Sequence, residues 1–247
     1  MNFFSLFKRR FLYRIKKKFN IDSDNINNNS LDKLFHHYGS DKANIFKKEQ
    51  RNGHGFSQFY EQHFEHLKDK EIKILEIGSF SGASAAAFAK YFTKSEIYCF
   101  DINISNFIYS SKKIKVFCLD INNKKSLKNT FEILKVKESQ QFFDIIIDDG
   151  SHYLSDILFS FKTFFQYIKK NGIYVIEDYK YPNYHNYNMN VHDILVDKML
   201  AHLNEKKNFE SNIIKESDQN YLIKNIKNIK THKGQLQDSD ICFIKKN

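Results

Sequence analysis

The sequence predicts an α/β fold: a doubly wound, mainly parallel seven-stranded sheet with an N-terminal helical extension. Two observations carry this. Short runs rich in Ile, Val, Phe and Tyr alternate regularly with helix-length amphipathic segments between residues 72 and 205. Two of those runs end directly in acidic clusters, Asp148-Asp149-Gly150-Ser151-His152 and Glu177-Asp178. Parallel strands covered on both faces read as continuous apolar runs, and the carboxyl ends of such strands form the ligand-binding edge of an open sheet. Clustered carboxylates at that edge repel one another unless a cation lies between them, and a hard divalent ion with oxygen ligands suits them best.

The elements follow in order. Apolar runs predict strands at 72–77, 96–101, 114–119, 143–148 and 172–177, with helices near 83–92, 105–111, 124–136 and 153–169 between them. A helix near 192–205 follows, and two strands near 220–228 and 239–245 close the chain. Between Leu31 and Leu67, helical patterns flank a glycine-containing loop. Residues 20–31 are polar and Asn-rich and read as a linker. The expected organisation is an arm and linker over 1–30 and one domain over 31–247.

At 247 residues and 41% hydrophobic content the chain can bury a full core. A single Pro and eight Gly argue against disordered or repetitive architecture. Cys99, Cys118 and Cys242 lie in apolar runs without paired spacing, which fits buried thiols in a reducing compartment. The net charge is +10, but seven basic residues and no acid fall within the first 20 positions, so the other 227 carry only +3. That distribution disfavours a broad nucleic-acid-binding face.

The arm itself repeats Phe4, Phe7, Phe11, Ile15 and Phe19 at helical spacing among Lys and Arg. Two readings stand: a helix lying on an anionic membrane surface, or a terminal helix packing its Phe stripe on the domain or on a partner subunit. Basic residues interrupt every apolar run, so it does not read as a secretory signal, and no stretch approaches a transmembrane span.

The run from Ile74 to Ser84 passes from a strand into a helix with the spacing Gly78-x-x-x-Gly82, which is not the dinucleotide fingerprint G-x-G-x-x-G. Glycines there let a ligand approach the backbone, and the helix N-terminus offers N–H groups. Glu76 is placed to accept hydrogen bonds from a cationic amino-acid group, which S-adenosylmethionine (SAM) carries and NAD lacks. Asp101, 23 residues beyond Gly78, ends the next strand and suits ribose hydroxyls. Ser79, Ser84, Asp120 and Asp148 complete the candidate cofactor set. Each acid also has a plainer reading as a solvated strand end.

These residues resemble the class I SAM-dependent methyltransferases, whose Rossmann-like sheet has seven strands. More narrowly they resemble the metal-dependent macrocin and mycinamicin type of sugar O-methyltransferase. The resemblance rests on Tyr38-Gly39-Ser40-Asp41-Lys42, Leu75-Glu76-Ile77-Gly78, Asp148 to His152, and Ile176-Glu177-Asp178. It implies Mg²⁺ bound by Asp149, Glu177 and Asp178, His152 as general base, and His54 and Tyr60 at the substrate. The loop from Tyr179 to His192, rich in aromatic and amide side chains, suits stacking on and hydrogen bonding to a polar sugar, and equally suits a plain surface loop. Phe80 stands where the superfamily usually has its middle glycine. A bound cation lowers the pKa of a hydroxyl, and an imidazole can then take its proton. Asp149 equally suits a helix cap, and His152 a bond to a backbone carbonyl.

The expected function is SAM- and Mg²⁺-dependent methylation of a sugar hydroxyl, on a nucleotide-activated sugar or glycan of bacterial surface polysaccharide (capsule) synthesis. The setting is cytoplasmic, with peripheral contact at the inner membrane face and homo-oligomers as further expectations. The alternatives are methyl transfer to another small phosphorylated or phenolic acceptor, and a nucleic-acid-modifying protein.

Overall fold

The structure, a computed structural model, describes residues 3–26 and 30–247, with side chains described from residue 5 onward in the first helix. Met1–Thr130 with Gly234–Leu236 form one compact unit, and Phe131–Lys233 with Gln237–Asn247 form a second.

The first unit begins with α1 (Phe3–Ile15), β1 (Phe19–Asn20), α2 (Leu31–Tyr38), β2 (Ile45–Phe46), β3 (Arg51–Asn52) and α3 (Ser57–Phe64). It continues through β4 (Glu71–Ile77), α4 (Ala83–Tyr91), β5 (Lys94–Asp101), β6 (Tyr109–Ser110) and β7 (Ile114–Cys118). Strands β4, β5 and β7 are parallel and adjacent in that order, which aligns Ile77 with Phe100 and Asp101 with Cys118. Their buried Ile, Leu and Cys side chains form the sheet's core faces. Helix α4 carries Ala at 83, 85, 86, 87 and 89, all buried, and such small side chains permit close packing. Phe88 meets Phe35 of α2 and Tyr60 of α3 edge to face, both at 5.3 Å. The first N–H of α2 is satisfied by the Glu61 carboxylate of α3 at 2.6 Å, so a neighbouring helix does the work of an N-cap. Gly39 closes α2 in the left-handed conformation.

The helix expected at 105–111 is not formed. A single 3₁₀ turn, Ile104–Asn106, is followed by the extended pair Tyr109–Ser110, which runs parallel to Phe19–Asn20. A segment this short nucleates a helix poorly, and a strand partner some 90 residues away decides its conformation.

Helix α5 (Lys124–Ile133) leads into β8 (Phe143–Asp148), α6 (Leu154–Phe164), β9 (Ile168–Ile176), α7 (Tyr181–Tyr184), α8 (Val196–Asn204), α9 (Glu216–Asn225), β10 (Ile226–Lys233) and β11 (Asp240–Lys246). In the second unit the order is β10-β11-β9-β8, with β8 and β9 parallel and β11 antiparallel to both its neighbours. The strand expected near 220–228 is displaced: 216–225 is helical and the strand starts at Ile226. Glu216 and Asp218 in the first turn favour the helix N-terminus. The Asp218 carboxylate accepts the Lys215 N–H at 3.1 Å, and Leu222 is buried. Strands β4, β5 and β7 of the first unit and β8 to β11 of the second give the mainly parallel α/β architecture that the sequence predicts, apart from the short pairs β1–β6 and β2–β3.

Gly82, at the start of α4, has φ +78°, and a Cβ there would lie 2.4 Å from the Phe107 ring. Gly82→Ala combines backbone strain with overpacking, so it should destabilise the fold by about 2–4 kcal/mol in urea denaturation.

Candidate active site

In the first unit, strand β4 delivers Glu76 to the turn that opens α4. Glu76 is fully buried; its Oε1 accepts the Ser84 hydroxyl, and its backbone carbonyl accepts the Ser79 hydroxyl at 3.2 Å. Gly78, Phe80 and Gly82 all have positive φ (86°, 41° and 78°). Phe80 therefore keeps the left-handed backbone of the glycine it replaces, and its ring points outward, 62% exposed. Asp101 supports this conformation. Its Oδ2 accepts the Phe80 N–H at 2.7 Å and its Oδ1 the Asn103 N–H at 2.5 Å. A carboxylate offers about four acceptor sites, so capacity remains for ribose hydroxyls. Asp120 follows β7, whose last residue lies opposite Asp101, and its Oδ1 accepts the Asn122 N–H at 3.0 Å. Glu76, Gly78, Ser79, Gly82, Ser84, Asp101 and Asp120 thus all lie at or just beyond the carboxyl ends of three parallel strands.

The second unit gathers the acid cluster. Asp149, His152 and Asp178 each offer one ligand atom, and these atoms lie within 4.8 Å of one another. His152 Nε2 is 3.6 Å from Asp149 Oδ1. The parallel register sets this up: Asp148 pairs with Ile176, and the Glu177 N–H donates to the Asp148 carbonyl at 3.0 Å. Both His152 (φ 55°) and Asp178 (φ 49°) sit in the left-handed region. Non-glycine residues held there tend to mark functional sites. Two of the three expected metal ligands are therefore brought together, joined by the residue expected as base. Glu177 is buried beside them in sequence but is not one of the clustered group.

Asp148 turns away into a buried network, in which the Tyr174 hydroxyl donates to its Oδ2 at 3.3 Å and lies 2.9 Å from the Ser160 hydroxyl. Burial pushes the Asp148 carboxyl up to about 7, against the lowering effect of Ser160 and Tyr174, and the Asp149 charge adds to the rise.

The expected substrate residues divide. Tyr60 is fully enclosed among Phe35, Phe64 and Phe88, so its ring serves the core and offers no wall to a substrate. Tyr179 is likewise buried, its N–H donating to the Asp240 carbonyl at 3.1 Å. His54 is half-buried over Phe56. The accessible aromatic surface near the cluster comes from the next residues along. Tyr181 lies 5.4 Å from the His152 ring and 4.1 Å from the His185 ring, and its hydroxyl is 3.3 Å from that of Tyr187. His185 is in turn 3.3 Å from Asp238. The aromatic and amide density of 179–192 signals this surface in the sequence; which rings face outward, and the part played by Asp238, carry no sequence signal.

Residues 75–179 match the family model described as a methyltransferase domain. More particularly, the chain is similar to sugar O-methyltransferases. It is 31% identical over 133 residues to mycinamicin VI 2''-O-methyltransferase of Micromonospora griseorubida, covering 51% of this chain and 31% of that protein. It is 31% identical over 155 residues to L-olivosyl-oleandolide 3-O-methyltransferase of Streptomyces antibioticus, covering 60% and 36%. The solved structure of MycE methyltransferase from the mycinamycin biosynthetic pathway, in complex with Mg and SAH, shares the fold, with TM-score 0.66 and 22% identity over 90% of this chain and 55% of that one. The chain thus spans about a third of the length of these curated relatives and about half of that structure.

Asp148 gives a pH test. Its proton is retained in the native state up to about 7 but lost near 3.8 on unfolding. The native state binds more protons in that window, so stability falls as pH rises from about 4 to about 7 and is level above. Asp148→Asn in EDTA-treated protein should remove this slope. It should match wild type at pH 4 and exceed it at pH 8 by up to about 4 kcal/mol, read from urea midpoints.

Proposed function

We propose that this chain is a SAM-dependent, divalent-cation-assisted O-methyltransferase acting on a sugar hydroxyl. The carrying observation is the Asp149–His152–Asp178 cluster at the ends of two parallel strands. Its carboxylates fit a hard cation: Asp149 and Asp178 offer oxygen donors within 4.8 Å of each other, of the kind Mg²⁺ takes, and leave the His152 imidazole free to act as a base. The first unit fits SAM. A buried carboxylate is stable as an anion only beside a cation or several donors, and the α-ammonium group of SAM would supply one to Glu76.

When bound, SAM would supply an electrophilic methyl group, and a cation at this site would make an acceptor hydroxyl more acidic. The chain supplies alignment and proton transfer. Asp149 and Asp178 would hold the cation. Asp101 would take the ribose hydroxyls and Glu76 the amino group. His152 would accept the hydroxyl proton at Nε2, the nitrogen directed at the cluster. Tyr181, His185 and Tyr187 would offer rings for stacking against a sugar.

Two relatives are named for sugar-bearing acceptors, one olivosyl and one rhamnosyl, and that supports the sugar as acceptor class. A nucleotide-sugar or surface-polysaccharide acceptor has no such support. The reading takes residues 31–247 as the catalytic body and 1–30 as an arm. Three free buried cysteines agree with a reducing, cytoplasmic setting, and no helix among the described residues is long and apolar enough to cross a membrane.

Calorimetric binding of SAH with and without Mg²⁺, paired with a methyl-transfer screen of glycosides, tests this. Asp178→Asn should keep SAH binding while losing Mg²⁺ binding and activity together. His152→Ala should keep both ligands and lower kcat by about 10²–10⁴. Full-rate transfer by EDTA-treated enzyme to every acceptor would refute the metal's role. Preference for phenolic over sugar acceptors would refute the substrate class.

A further inference from the structure

Helix α1 lies on the first unit with its polar contacts turned inward and its apolar stripe turned out. Arg9 Nη1 donates to the Ile102 carbonyl at 2.7 Å, Arg10 Nη2 to the Cys118 carbonyl at 2.9 Å, and Lys16 Nζ to the Ser105 carbonyl at 2.9 Å. On the same side the Tyr13 ring meets Phe107 edge to face at 6.3 Å. Beyond the helix, Phe19 N–H donates to the Ile108 carbonyl at 2.8 Å and pins the exit. These five contacts fix the helix about its axis. The opposite face then carries Phe7 (64% exposed), Phe11 (53%) and Ile15 (63%) in one row, continued by Phe19 (51%). Phe4, the first residue of the expected stripe, lies outside the described side chains. The reading in which this stripe packs on the domain is therefore not the one the structure adopts.

We propose that the outward face of residues 7–19 docks on an anionic lipid bilayer. A row of large apolar side chains in water is unfavourable unless covered. Lys8, Arg14 and Lys17, all exposed, lie along it, and the first 20 residues contain no acid. Charge decides between occupants. A second copy of the arm would bring seven further positive charges against the seven already there. An acidic lipid surface offers the opposite sign outside and hydrocarbon beneath, which matches Phe rings flanked by Lys and Arg. RNA would meet the charge and could stack on the Phe rings, so RNA binding is one outcome of the test. This inference goes beyond the proposed catalytic function and stands without it.

The test is flotation of the full chain with phosphatidylcholine vesicles with and without phosphatidylglycerol, at low and high salt, beside light scattering and RNA gel shifts. Wild type should bind only the phosphatidylglycerol vesicles, and high salt should weaken binding. Phe7→Ser/Phe11→Ser/Ile15→Ser and, separately, Lys8→Glu/Arg14→Glu/Lys17→Glu should each reduce binding roughly tenfold or more. Circular dichroism and Tm should be unchanged, because these side chains are exposed. Three results would overturn the proposal: no binding to phosphatidylglycerol vesicles at low salt, binding that survives the triple Ser change, or a self-association or RNA affinity lost with that change while vesicles are ignored.

Discussion

Holding like charge at close range is the constraint on which the second unit depends. Two unit charges 4.8 Å apart repel by roughly 3 kcal/mol at an effective dielectric of about 20. Asp149 and Asp178 accept this because the β8–β9 register leaves them little choice. Asp148 opposes Ile176, the ladder runs one bond further to Glu177, and the next residues emerge side by side. The left-handed backbone at Asp178 and His152 adds strain of about 1–3 kcal/mol each. Repulsion and strain at one point are sustained by the apolar strands behind, where Ile145, Ile146, Tyr174 and Val175 are wholly buried. A cation would relieve the first of these costs, which is why the arrangement makes chemical sense as a site and little sense as a fold element.

The first unit solves a related problem with a different residue. A strand that must stop abruptly and open a helix needs positive φ in its turn, and glycine supplies this most cheaply. Gly78 and Gly82 do so, and the missing Cβ of Gly82 is the space that the Phe107 ring occupies. Phe80 takes the same conformation without that freedom, held by the Asp101 carboxylate on its N–H. Asp101 therefore shapes the turn as well as lining the edge, and a loss there would loosen both.

The parallel strands were legible in the sequence because apolar runs bounded by Gly and acids have few other readings. The closeness of Asp149 and Asp178 was legible too, since carboxylates at strand ends are placed by the strands themselves, whereas Glu177, expected with them, lies outside the cluster. Tertiary partners decided what was not legible. The segment 105–111 is extended because Phe19–Asn20 pairs with it, and 216–225 is helical because Asp218 and the buried Leu222 outweigh a β-like run. The same holds within the site. Tyr60 and Tyr179 have the chemistry of substrate residues, but whether an aromatic ring faces a core or a cleft depends on packing that composition does not record. Tyr181 and His185 took the outward places instead.

The basic arm carries the sharpest separation between composition and position. Seven positive charges within 20 residues suggest a polyanion, yet Arg9, Arg10 and Lys16 are hydrogen-bond donors to carbonyls of the chain itself. Two of those carbonyls, Ile102 and Ser105, belong to the segment just after Asp101, and the third, Cys118, lies opposite Asp101 in the sheet register. The arm thereby braces the candidate cofactor edge, and its charge is partly consumed as structure. A helix anchored through three of its cations turns its apolar side outward, with Lys8, Arg14 and Lys17 left exposed along it. The inverted orientation of α1 and the exposure of its Phe row are thus one consequence, not two: the backbone carbonyls at the sheet edge claim the polar face first.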